Sequence, residues 1–268
     1  MNSKFEGKVA LITGAGSGIG KAAALAFARE KAKVVVADVD VEQGEKTVQM
    51  IKGNGGDAIF VKVDVSKATQ VETMVNKTME KYGRLDYAFN NAGVNNGHGL
   101  KNIIEEEKDW DRVIDINLKG VWLCTKYEVP QMIKVGGGAI VNTASVAGLA
   151  GFGVFGPYQA SKHGVVGLSR NAALLYAKDG IRVNTLCPGP STTNLKKTSE
   201  YAKYGRAERE EEEEVQTTGT KLFGPLARVS SPEEQAEAVI FLCSDEASYI
   251  TGVALPVDGG LLAGYLIA

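Results

Sequence analysis

The chain is poor in cysteine, histidine and proline. Its 268 residues include three cysteines, two histidines and seven prolines. Cys124, Cys187 and Cys243 are odd in number, widely spaced and set mostly among apolar neighbours. With no CxxC pair, neither a disulfide framework nor a zinc site is indicated, and the thiols read as small buried hydrophobes. His98 and His163 stand far apart with no clustered acids, so there is no case for a catalytic metal. Neither sign of charge is in excess. The net charge is −2, which gives nothing to favour nucleic acid or an anionic membrane. Long hydrophobic runs are missing too: no 18 uncharged apolar residues occur in succession, so no membrane span is expected. The opening MNSKFEGKVALIT lacks the apolar core and cleavage site of a signal peptide. These absences predict a soluble protein of a reducing cytoplasm. Glycine, by contrast, is abundant, with 32 residues and no G-X-Y period, so it must serve turns, close packing or ligand approach.

Short β-branched runs alternate with longer helical patterns along the chain. Residues 8–12, 33–38, 58–65, 85–89, 138–145 and 181–186 read as strands, and 254–260 as a seventh. Their near-continuous apolar character suits a parallel sheet buried on both faces. Apolar residues recur at helical spacing over 18–31, 41–53, 67–82, 103–134 and 158–178, the fourth long enough for two helices or one bent one. A last helix is expected after Ser231-Pro232, a cap followed by an N1 proline. Repeated β-α units predict a single α/β domain over 1–268, a Rossmann-type doubly wound parallel sheet of about seven strands with helices on both faces. Only the region at about 190–228 breaks the rhythm. It holds no strand pattern, contains RAEREEEEEV, and lies where a substrate lid would sit.

The first strand runs into Thr13-Gly14-Ala15-Gly16-Ser17-Gly18-Ile19-Gly20 and then a helix. The spacing is G-x-x-x-G-x-G rather than G-x-G-x-x-G, but the task is the same. Glycines permit a tight turn, let backbone N–H groups approach a pyrophosphate, and let the helix pack close to the sheet. Asp38 ends the second strand 18 residues after Gly20, where a carboxylate accepts from adenosine ribose hydroxyls. A 2′-phosphate would be repelled there. Neither Val39 nor Ser17 offers it a positive charge, so NAD is expected over NADP.

Tyr158 and Lys162, at i and i+4, share one helix face. A phenol titrates near ~10 in water, too high for efficient acid-base work at neutral pH, and a neighbouring ammonium favours the phenolate. Ser145 ends a strand 13 residues before Tyr158, and such strand ends line the crevice of an open α/β sheet.

With these residues in place the chain resembles the short-chain dehydrogenase/reductase family over its whole length. The features that carry the resemblance are TGAGSGIG at 13–20, Asp38, Asp64-Val65, Asn90-Asn91-Ala92-Gly93, Asn117, Ser145, Tyr158-x-x-x-Lys162 and Pro188-Gly189, in the family's order. The resemblance implies that Tyr158 is the general acid or base, that Lys162 lowers its pKa and bonds the nicotinamide ribose, and that Ser145 bonds the substrate oxygen. Asn117 would hold a water that relays protons to Lys162. Gly14, Ser17, Gly18, Ile19 and Gly20 would form the phosphate turn. Asp64 would bind the adenine amino group beside the Val65 backbone, and Asn91, Ala92 and Gly93 would flank adenosine and ribose. After Pro188-Gly189 the nicotinamide amide would meet Thr193, with Thr192 as a substitute, because Thr193-Asn194 departs from the family's Thr-Pro. His163 is expected to pack or face solvent, and His98 to lie in a surface loop after the cofactor-binding turn, with substrate contact the lesser alternative.

The implied activity is transfer of a hydride between NAD(H) and a secondary alcohol or ketone. Val94, Val146, Leu149, Phe152, Val154, Phe155 and Leu195 surround the expected pocket, and their apolar character favours a hydrophobic or cyclic substrate. An acyl-carrier-protein ketoreductase is the alternative within the family, weakly opposed by the Glu run at 210–214. A non-catalytic dinucleotide-sensing protein is the alternative of another class. The intact Ser145, Tyr158 and Lys162 set speaks against it, since a binding module needs no tuned phenol. A sugar epimerase or dehydratase is opposed by the lack of room for a larger substrate domain. Surplus apolar residues on two long helices (Val121, Trp122, Leu123, Val165, Val166, Leu168, Leu174 and Leu175) and the apolar tail 261–268 predict a homotetramer.

Overall fold

In the computed structural model the described residues are 4–95, 106–152, 156–193 and 224–264. Seven strands form one sheet: β1 Val9–Thr13, β2 Lys33–Asp38, β3 Ala58–Lys62, β4 Tyr87–Asn90, β5 Gly138–Thr143, β6 Ile181–Pro188 and β7 Ala254–Val257. All neighbours pair in parallel, in the order β3-β2-β1-β4-β5-β6-β7. The helices are α1 Gly18–Arg29, α2 Val41–Gly53, α3 Ala68–Tyr82, α4 Glu107–Ile114, α5 Gly120–Lys134, α6 Gly156–Tyr176 and α7 Pro232–Cys243. The expected doubly wound Rossmann-type sheet is therefore the observed one.

Alternation along the strands explains how both faces are buried. Ala10, Ile12, Val34 and Val36 point into a core shared with α1, α2 and α7, where Phe27, Ile51 and Ile240 pack. Leu11, Val35 and Ala37 point the other way, onto Met74 of α3, Leu123 and Met132 of α5 and Ala172 of α6. Successive strand residues face opposite sides, so a strand covered by helices on both faces must be apolar throughout. Cys124, Cys187 and Cys243 are free and buried, as expected of small hydrophobes.

Local signals set the helix starts. The Asp40 side chain accepts from Gln43 N at 3.1 Å to cap α2. Ser231 and Glu234 form a reciprocal capping box at α7, with Pro232 in the first turn. The pattern over 103–134 is one continuous helical run from Glu107 to Lys134. α4 passes through a π turn at Asp115–Lys119 into α5 without a break, while 103–105 lie outside the described residues. Of the apolar residues expected to be in surplus there and on α6, Val121, Leu123, Val165 and Val166 belong to the protein's own core, and only Trp122, Leu174 and Leu175 are exposed. The excess is smaller than the sequence suggests, because both helices bury more than one stripe.

Strand order reverses between β1 and β4. In open α/β sheets the crevice beyond the carboxyl ends at such a point takes the ligand. Here those ends carry Thr13 and Asn90, with Thr143 on the next strand.

Candidate active site

The turn from β1 to α1 is built for close approach. Gly14 adopts φ +65°, and a Cβ at Gly20 would overlap the Gly14 carbonyl oxygen, so no larger residue fits where helix meets turn. Ser17 occupies the N-cap of α1 without a side-chain cap bond, and the first turn holds no acidic residue. The first N–H groups of α1 therefore have no side chain competing with an anion. Outside them, Gly18, Lys21, Thr192, Thr193 and Pro232 line a cleft between α1 and α7.

Asp38 reaches from the end of β2 over this turn. Its Oδ2 accepts from Gly16 N at 2.7 Å and its Oδ1 from Asp40 N at 3.0 Å. Val39 beside it is exposed. At the end of β3, Asp64 Oδ1 accepts from Ser66 N at 2.9 Å and from Ser66 Oγ at 2.7 Å, while the buried Val65 side chain packs against Gly120.

The segment after β4 is tied to β1. Thr13 Oγ1 accepts from Asn91 N at 3.0 Å and Ala92 N at 3.1 Å. Asn91 Nδ2 donates to the Thr13 and Gly14 carbonyls at 3.3 and 3.5 Å. Gly93 faces the catalytic candidates, since a Cβ there would lie 3.3 Å from Asn117 Oδ1 and 3.6 Å from Lys162 Nζ. Asn117, within the π turn, accepts from Val94 N at 2.8 Å and donates to Val94 O at 2.9 Å and Ser161 Oγ at 3.2 Å. Ser161 passes the contact on, donating to the Tyr158 carbonyl at 2.7 Å.

Ser145, Tyr158 and Lys162 meet at the ends of β5 and α6. The Ser145 hydroxyl accepts from Ala147 N at 3.2 Å, which shapes the short helical turn Val146–Gly148, and it is hydrogen-bonded to the Tyr158 phenol. Lys162 Nζ stands 5.4 Å from the centroid of the Tyr158 ring and donates to Thr143 O at 2.8 Å. Burial pushes the lysine down to about 8. The phenol departs from expectation: burial raises its pKa, and the bond from Ser145 offsets only part of that. Desolvation of the phenolate is the largest cause, and Lys162 donates its ammonium to the Thr143 carbonyl.

Past β6, Gly189 N donates to Val257 O at 3.0 Å, which fixes the Pro188-Gly189 corner. Thr193 then lies against the glycine turn, with its Cβ 3.3 Å from where a Cβ of Gly18 would be. Thr192 is turned to the Ser230 carbonyl through its N–H and hydroxyl. His163 is exposed, with Nδ1 3.0 Å from the Gln159 carbonyl. Of the apolar residues expected around a pocket, Val94 is held by Asn117, Val146 is buried in the turn after Ser145, Leu149 packs against the cluster of Val121, Val165 and Val166, and Phe152 is exposed, whereas His98, Val154, Phe155, Leu195 and the Glu run fall outside the described residues. Three contributors escape sequence reasoning. Ser161 hides inside the Tyr-Lys motif, and Thr143 acts partly through its carbonyl. Cys187, beside the Ser145 backbone and near Lys162, looks like any core thiol.

A family model described as enoyl-(acyl carrier protein) reductase matches residues 14–262. The chain belongs to the short-chain dehydrogenase/reductase family. It is an oxidoreductase, and its relatives in this family act on varied oxygen-bearing substrates. Cyclohexanol dehydrogenase of Acinetobacter sp. (strain SE19) is 44% identical, over 97% of this chain and 96% of that protein. The 3-oxoacyl-[acyl-carrier-protein] reductase FabG of Thermotoga maritima is 40% identical, over 97% and 99%. Among solved structures, a levodione reductase superposes with a TM-score of 0.89 at 38% identity, covering 97% of this short-chain dehydrogenase/reductase and all of that chain.

Proposed function

We propose that the enzyme interconverts a hydrophobic or cyclic secondary alcohol and its ketone with NAD(H), using Tyr158 as the general acid or base. The observation that carries this reading is the Ser145–Tyr158 hydrogen bond with Lys162 Nζ 5.4 Å from the phenol ring, beside the glycine turn. The residues fit a dinucleotide: an uncapped, acid-free helix start lies under a glycine turn, and Asp38 is poised for ribose hydroxyls. When bound, the nicotinamide supplies or accepts the hydride. Asp38, Asp64, Val65, Asn91, Ala92 and Gly93 would hold the adenosine half, and Pro188, Gly189 and Thr193 the nicotinamide amide.

The chain's own residues manage the proton. In reduction, Tyr158 Oη gives its proton to the ketone oxygen while the Ser145 hydroxyl donates to that oxygen as negative charge grows on it. In oxidation, the phenolate takes the alcohol proton. Because burial disfavours phenolate here, a cation near the ring is needed to form it, and Lys162 is the cation in reach. The Asn117 side chain is spent on Val94 and Ser161, so the relay water would meet its main chain in the π turn, where the helical bonding pattern is broken.

The similarity to a cyclohexanol dehydrogenase supports a cyclic alcohol. The similarity to an acyl-carrier-protein reductase favours a thioester as the second reading. The enzyme is read as a single-domain, cytoplasmic homotetramer; among the described residues no helix is long and apolar enough to cross a membrane. Two measurements test the whole reading. Steady-state rates with NAD(H) should be far higher on cyclohexanol-type substrates than on acetoacetyl thioesters. Tyr158→Phe should still bind NADH but lose about 10²–10⁴-fold in kcat, and a variant keeping a tenth of its kcat would remove Tyr158 from the chemistry.

A further inference from the structure

Thr143, the last residue of β5, touches both halves of the site. Its carbonyl accepts from Lys162 Nζ at 2.8 Å, and its hydroxyl donates to Asn91 Oδ1 at 3.2 Å. The hydroxyl's partner is itself wedged into the phosphate turn. Asn91 Nδ2 donates to the Thr13 and Gly14 carbonyls, and it lies only 2.7 Å from where a Cβ of Gly20 would stand. Three β-strand ends and the start of α1 thus converge on one carboxamide, and the orientation of that carboxamide depends on a donor to its oxygen. Thr143 supplies one.

We infer that Thr143 is a positioning residue for the cofactor: its hydroxyl fixes the Asn91 carboxamide, and through it the glycine turn, relative to the catalytic Lys162. The inference rests on the dinucleotide reading of that turn. The mechanism is pre-organisation. A turn held in its binding geometry by Thr143 need not be ordered when the cofactor arrives, so the cost of ordering is not subtracted from affinity. Thr143 is largely buried, at 8% exposure, and its replacement by valine keeps the branched shape while exchanging the hydroxyl for a methyl group. Asn91 Oδ1 then loses this donor, and Asn91 Nδ2 competes less well for the Gly14 carbonyl. The Thr143 carbonyl survives the change, so Lys162 keeps its anchor.

NADH binding, followed by protein fluorescence, and steady-state kinetics on the intact enzyme test this with Thr143→Val and Thr143→Ser. Thr143→Val is expected to weaken NADH binding and raise KM for NAD by about tenfold, the scale of one lost hydrogen bond. At saturating NAD its kcat should fall by less than KM rises, with the shape of the pH profile retained. Thr143→Ser, which restores a hydroxyl, should recover most of the affinity. Parental NADH affinity in Thr143→Val would overturn the inference. So would a loss of melting temperature and kcat with affinity intact, or a serine variant no better than valine. If the parent itself bound no NADH, the dinucleotide reading would fall and take this inference with it.

Discussion

Gly148 rests on the backbone of Lys162: a Cβ at position 148 would stand 2.6 Å from the Lys162 carbonyl oxygen and 3.3 Å from His163 N. The neighbour is helix backbone, which cannot swing aside, so any side chain must push the turn after Ser145 away from α6. Ser145 and Tyr158 are carried on those two elements, and in the proposed mechanism their hydrogen bond would set the spacing at the substrate oxygen. Gly148→Ala is expected to lower kcat by about tenfold or more while changing NADH affinity little, because displacements of this kind act on orientation. Kinetics paired with NADH binding check it. A Gly148→Ala enzyme with parental kcat would show that the loop yields without moving Ser145.

The second expectation concerns cofactor choice. Asp38 lies over the glycine turn with Oδ2 on Gly16 N, and the exposed Val39 offers no cation to a 2′-phosphate. The parent should give a higher kcat/KM with NAD(H) than with NADP(H). Removing the carboxylate and adding a guanidinium, as Asp38→Ser with Val39→Arg, should swing the ratio toward NADP(H). A parent that prefers NADPH would contradict this account of the β2 end.

Much of this arrangement was legible in the sequence because its signals are local. The run Val34–Ala37 is apolar on both faces, the glycines at 14, 18 and 20 follow a strand, and Tyr158 and Lys162 sit one helical turn apart. What escaped depends on tertiary distance. The π turn at Asp115–Lys119 has no sequence signature, since it differs from the α-helix only in which carbonyl each N–H finds. The rise in the Tyr158 pKa was hidden as well, because spacing brings Lys162 near but does not reveal that its ammonium points at Thr143 O. Glutamate in a helix reads as surface by its type, yet Glu128 lies on the sheet-facing side of α5 and is fully buried.

That glutamate yields a pH prediction. Glu128 Oε2 accepts from Asn90 Nδ2 at 3.0 Å, and Oε1 has no partner among the described residues. The groups linked around it, Asn90 on β4, Asn142 on β5 and Ser169 on α6, are neutral, and Cys124 on its own helix is a buried thiol whose pKa burial drives up. Burial raises the Glu128 carboxyl to about 7, with the Asn90 bond working against it. The folded state therefore holds this proton where the unfolded chain, titrating near 4.5, has released it. Its contribution to stability is full below about pH 4.5 and is lost as pH rises through about 7, on the order of 3 kcal/mol. Glu128→Gln carries no such proton. Its melting temperature, measured from pH 5 to 8, should gain on the parent's as pH rises, and parallel curves would mean that Glu128 is ionised throughout.

Assembly is the last expectation, and the structure narrows its basis. Leu174 and Leu175 on α6, Trp122 on α5 and Trp110 on α4 are all at least 45% exposed, with Leu174 at 84%. Large apolar side chains presented by adjoining helices favour burial against another subunit. A two-fold interface would use such a surface twice, pairing α5 and α6 with their copies. One interface of this kind makes a dimer. A second is needed for a tetramer, and the apolar C-terminal segment is the candidate for it. Leu261 and Leu262 follow β7 and are half-buried, with Leu262 N on Asp258 Oδ2 at 2.9 Å, while 265–268 lie outside the described residues. Light scattering on the full chain should give a mass near four subunits. Trp122→Glu with Leu174→Glu should reduce it, since a charge placed in an apolar interface loses its hydration without gaining a partner. Ending the chain at Gly260 should leave a smaller or less stable species. A full-length monomer would refute the assembly altogether, and a tetramer that survives without the tail would place the second interface elsewhere on the protein.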